Sequence, residues 1–194
     1  MPADRRFSEF VGPRRSDWRR HVEDLVEQRY EGAVERAERD RVFRTAFELC
    51  TPVALRVLER ANELLLGRTA SLSIEAPQPD GTGGLRGGRR MSWPLLEQAR
   101  NRFTGEPLPP VEIGALFPDG FTHGHLALYE LAAPRRGIAA WPLQVTSPED
   151  AVRQEPILWA IAEAEVHERT FAGDLNWRLL TFEPATATPG VEAL

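Results

Sequence analysis

Apolar positions recur every three or four residues over the first third of the chain, and every second residue soon after Gly67. In the first stretch Trp18, Val22, Leu25, Val26, Ala33, Val34 and Ala37 keep the helical period behind Ser16, a residue suited to cap a helix. The opposite side is charged and places Glu35 four residues before Arg39. Phe43, Ala46 and Phe47 carry the apolar character to Cys50, where Thr51-Pro52 predicts a new helix that runs to Leu66 and stops at Gly67. The pattern therefore predicts a helical hairpin laid over something larger.

That larger element is expected to be a sheet. Ala70, Leu72, Ile74 and Ala76 alternate with Ser71, Ser73 and Glu75, which predicts a half-buried strand over 69–76. The segment 77–90, rich in Pro, Gly and Arg, reads as loop, and Ser92 precedes a short helix over 94–103. Val111 to Phe117 and Phe121 to Leu131 read as strands around the hairpin signal Pro118-Asp119-Gly120. Ile138 to Val145 reads as a third strand, which Pro142 places at an edge or a bulge. Ser147-Pro148-Glu149-Asp150 opens a helix, interrupted at Pro156 and continuing to Arg169, and Leu175 to Phe182 reads as a last strand. The expectation is one α+β domain over 1–182, with N-terminal helices packed on a four- to five-stranded, mostly antiparallel sheet and a flexible tail over 183–194. Helix-helix-strand-helix followed by three antiparallel strands resembles the element order of NTF2-like cone folds, although the helix and strand that come next have no place in that scheme.

At 194 residues, 42% hydrophobic and 27% charged, the chain has material for one substantial core. No apolar run approaches the roughly 18 residues needed to span a bilayer, so no membrane partner is expected. Arg5-Arg6-Phe7 is followed by Val11-Gly12-Pro13-Arg14-Arg15 instead of an apolar export segment, and the single cysteine, Cys50, excludes an internal disulfide. A cytoplasmic location is expected. The 24 basic residues are all arginine. Without lysine there is neither a Schiff-base nucleophile for pyridoxal phosphate nor a P-loop nucleotide site. A net charge of −5 argues against nucleic acid, and residues 101–194, with six Arg against thirteen acids, suit a cation better than a phosphate ester.

The candidate chemistry centres on Phe121-Thr122-His123-Gly124-His125. On a strand, His123 and His125 would project from one face with Gly124 between them, a geometry that a divalent metal or a proton-transfer site can use. Tyr129, on the same face, would orient a substrate. On the later helix, Glu165 and Glu168 share a side with Ile157, Leu158 and Ile161, where a carboxylate must be paired, protonated or bound to a cation. A metal, protonated His123 or His125, or an arginine such as Arg178 are the candidate neutralisers, the arginine pair being the structural alternative. Glu163 and His167, four residues apart, form a competing ligand pair. The glycine-rich run Gly81 to Gly88 lacks the spacing of a dinucleotide fingerprint and reads as a surface loop. Cys50 has no histidine nearby in sequence and reads as a structural thiol.

Two functions follow. One is a small enzyme or enzyme subunit with a small-molecule pocket, in which His123, His125 and Glu165 hold a divalent metal or move protons. The other is a non-catalytic interaction protein with structural histidines, whose N-terminal helices dock a protein partner or a second copy of the chain.

Overall fold

Residues 15–128 and 139–173 are described by the computed structural model, and the strand expected over 175–182 and the tail over 183–194 lie outside them. Helix α1 (Arg15–Val26) and helix α2 (Arg36–Leu65) precede strands β1 (Ser71–Pro79) and β2 (Leu85–Ser92). A short helix α3 (Pro94–Gln98) then leads to β3 (Val111–Phe117), β4 (His125–Leu128) and β5 (Ala139–Pro142). Helices α4 (Pro148–Arg153) and α5 (Glu155–Ala172) complete the described chain. The strands form one antiparallel meander in the order β1-β2-β3-β4-β5, with β5 at an edge, where Pro142 costs no ladder hydrogen bond. Helices α2 and α5 pack against each other and the sheet, so the fold is α+β as expected.

The helical region departs from the sequence pattern in two ways. The first helix stops at Val26, and a turn separates it from α2. Helix α2 then continues through Thr51-Pro52 instead of starting there. Pro52 cannot donate to Glu48 O four residues back, yet the helix runs through it. The Thr51 hydroxyl donates to Phe47 O at 2.8 Å, and the Arg89 guanidinium donates to the same carbonyl and to Thr51 Oγ1. Gly67, with φ +57, ends the helix as expected.

The expected loop over 77–90 is largely strand. Only five residues separate β1 from β2; Arg86, Gly88, Arg89 and Arg90 pair on both sides, and Gly87 pairs with β3 at the irregularity in the β1–β2 register. A Cβ on Gly87 would lie 2.9 Å from the Phe47 ring, so glycine lets α2 approach the sheet there. Fully buried Arg89 stacks over the Phe47 ring at 3.5 Å on that same side. On the other face, Gly88 makes room for the Glu112 carboxylate, which pairs with Arg86 and Arg90. Burial pushes the Cys50 thiol up to about 11, in keeping with a structural role.

Candidate functional site

Strand β4 begins at His125, so His123 sits in the segment before the strand instead of on it. His123 is 1% exposed, its ring packed edge-on to His21 of α1 at 4.8 Å and tilted against Tyr30 at 5.2 Å. Its Nε2 lies 3.6 Å from Asp24 Oδ2. His125 is half-buried and meets the Phe121 ring edge-on at 5.9 Å. Gly124 has a packing role: a Cβ there would lie 2.3 Å from Phe43 Cδ2 and 3.0 Å from the Tyr30 hydroxyl. Burial, and secondarily the neighbouring His21, lowers the pKa of His123 to about 4 against the pull of Asp24. Burial also lowers His21 and His125.

Glu165 is elsewhere. It is fully buried, with Arg169 Nη2 at 2.7 Å, and accepts the backbone N–H of Glu112 at 3.3 Å. Arg169 also donates to the carbonyls of Pro109 and Pro110. The neutralising arginine is thus one turn along the same helix, and Arg178 lies outside the described residues. The register pairs His125 with Leu116, four residues along β3 from Glu112. At about 3.3 Å per residue this separates that end of the strand from the histidines by roughly 13 Å. The structure therefore brings His123 and His125 to α1 and leaves Glu165 with Arg169. Tyr129 lies outside the described residues, and Glu163 and His167 are exposed. Among the described residues, no group of three or more His, Cys, Asp or Glu side chains is arranged to hold a metal ion.

What the histidines do adjoin is a turn that the sequence pattern absorbed into a helix. Tyr30 and Ala33 exchange both backbone hydrogen bonds, at 2.9 and 3.0 Å, around Glu31 and Gly32. Both central residues have positive φ, +50 at Glu31 and +81 at Gly32, as a two-residue type I′ turn requires. Glycine accepts this freely, whereas a glutamate there is strained by about 1–2 kcal/mol. Asp24 holds the strained residue by accepting its N–H at 2.9 Å, and Gln144 Nε2 donates to the same carboxylate oxygen at 2.9 Å. Arg20 of α1 reaches Glu31 Oε1 at 3.3 Å and donates to Gln144 O at 3.0 Å. Beneath the turn, the Tyr30 hydroxyl donates to Leu143 O at 2.5 Å.

The Glu31 side chain, 12% exposed, lines a cleft of about 380 Å³ between this turn, the start of α2 and the chain leaving β5. Arg41, Val42 and Thr45 form one wall, and Val145 and Thr146 another. Burial raises the Glu31 carboxyl pKa, Arg20 opposes the rise, and Asp24 adds to it. A carboxyl with raised pKa in a cleft holds its proton to a higher pH than an ordinary carboxylate does and can pass it to a ligand. Sequence reasoning missed Arg20, Asp24, Glu31 and Gln144. The available signal was Gly32, a poor residue for the interior of the helix assigned there.

No protein-family model, curated protein or solved structure matches the chain.

Proposed function

We propose that the protein binds a small polar molecule in the cleft beside Glu31, as an enzyme or enzyme subunit in which this carboxyl donates and accepts a proton. The observation that carries the reading is the backbone at Glu31: a non-glycine residue held at φ +50 by a side chain from another element, at the edge of a cleft. Strain persists where surrounding structure enforces it, and such positions concentrate at functional sites. Thr45 and Thr146 offer hydroxyls, Arg41 a cation, and Val42 and Val145 an apolar wall, a lining that suits a hydroxylated or carbonyl-bearing ligand. His123 enters as the support behind Asp24. A divalent metal held by His123 and His125 would need further ligands brought to them by side-chain movement, and elemental analysis of the purified protein tests that form of the reading. The reading itself is tested by titrating isotope-labelled protein with small hydroxy and keto acids and following backbone amide shifts. Perturbations at Glu31, Thr45 and Thr146 that vanish in Glu31→Gln support it; perturbations confined to other surfaces contradict it.

A second reading rests on α1. Val22, Leu25 and Val26 are exposed, Val26 at 78%, and Arg19 and Glu23 beside them pair with each other. A near-neutral apolar strip of this kind packs against a second copy without a like-charge penalty. Self-association through α1 is then the function of that face. Sedimentation of wild type against Val22→Asp/Val26→Asp measures it.

A further inference from the structure

The described side chains of helix α1 attach it to the body by a polar face. Among its described side chains, residues 19–26, the buried one is His21, while Val22, Leu25 and Val26 face outward. Its attachments are polar or aromatic: the His21 ring on His123, Asp24 to Gln144 and to the N–H of Glu31, and Arg20 to Gln144 O and Glu31. Among these described side chains, no apolar residue is fully buried, whereas apolar burial is the main stabilising contribution for most helices. The connection to α2 contains three positive-φ residues, Gln28, Glu31 and Gly32, a backbone shape that polar contacts from α1 help to hold.

We propose that α1 is a releasable strap that holds the Glu31 turn, with Asp24 and Arg20 as positioning residues for the Glu31 carboxyl. With the strap docked, Asp24 fixes the Glu31 N–H and Arg20 bears on its carboxylate. With it released, the turn loses both constraints, Glu31 leaves its strained conformation, and one wall of the cleft opens. Elements held by few apolar contacts open at low free-energy cost while the core stays folded, so release leaves α2 and the sheet intact. Its consequence for ligand binding rests on the cleft reading; the strap itself does not.

Native-state amide hydrogen exchange on the full chain tests it. Amides of 19–26 and the amide of Glu31 are expected to exchange together, about 100-fold or more faster than those of 46–58 in α2. Asp24→Ala is expected to speed the Glu31 amide and the α1 amides by about tenfold or more and leave 46–58 unchanged. Asp24→Asn, which keeps an acceptor oxygen, is expected to restore most of the protection. Should Asp24→Ala fold poorly, Gln144→Ala removes a different attachment and is expected to speed the same amides. Protection of α1 equal to that of α2, or a Glu31 amide unaffected by both variants, overturns the strap. Failure of every small-molecule titration with these exchange results intact overturns the cleft reading alone.

Discussion

The backbone N–H of Glu31 donates to Oδ2 of Asp24 at 2.9 Å, so a residue of α1 fixes the turn that carries the cleft's half-buried carboxyl. The same oxygen lies 3.6 Å from His123 Nε2. Asp24 therefore joins the histidines that stand out in the sequence to a cleft that does not.

The histidine cluster makes stability depend on pH in a defined direction. Burial holds His123 near 4, against an ordinary 6.5 in the unfolded chain, and lowers His21 and His125 as well. The unfolded chain then binds more protons than the folded one between those values. Stability is fully present above pH 6.5 and is lost as pH falls toward about 4. The slope from one such group is at most about 1.4 kcal/mol per pH unit. Urea midpoints across this range are expected to fall with pH, and His123→Phe to flatten the profile. A wild-type profile that is flat between these limits contradicts the assignment.

Gly124→Ala is expected to destabilise by about 3 kcal/mol, because its Cβ would meet the Phe43 ring at 2.3 Å. Phe43→Leu in the same chain is expected to recover part of the loss. A double-mutant cycle on denaturant midpoints measures the coupling, and strictly additive losses contradict the packing role.

Glu165 and Arg169 form a buried pair, so removing one charge strands the other. Glu165→Gln and Arg169→Met are each expected to cost about 3 kcal/mol, and the double variant Glu165→Leu/Arg169→Met less than either alone. Thermal unfolding with and without added zinc checks this. A loss in Glu165→Gln that appears only when metal is present would return Glu165 to a ligand role.

The clean periodicities were the legible part. Val111–Phe117 is a strand with the expected bounds, Gly67 ends α2, and Ser147 caps α4 through the N–H of Asp150. The misread segments share a physical cause: tertiary contacts overrode local preference. Arg86 to Arg90 reads as loop because it lacks apolar alternation and glycine is a poor strand former. In the fold, Gly87 admits Phe47, Gly88 admits Glu112, and Arg89 bridges to the Phe47 carbonyl. Pro52 reads as a helix start because a first-turn proline costs no intrahelical hydrogen bond, whereas in the fold α2 runs through it. The site was half legible. The histidines were visible as a spaced pair, but their partners His21, Asp24 and Tyr30 come from the other end of the chain, and no spacing rule connects them. Glu165 was correctly seen as a carboxylate on an apolar stripe, whereas its partner was one helical turn away on the same element.

The most direct test of the account is the titration of Glu31 itself, followed by the side-chain carboxyl carbon resonance in wild type and in Asp24→Ala. Burial at the cleft predicts a wild-type midpoint above the ordinary 4.5, and so a stability contribution that is lost as pH rises through that midpoint. In Asp24→Ala the midpoint is expected to move back down, since the strap loosens and a neighbouring negative charge is gone. A wild-type midpoint at or below 4.5 would mean that burial does not govern Glu31, either because it is solvated or because Arg20 outweighs it. The cleft would then have no group poised for proton transfer.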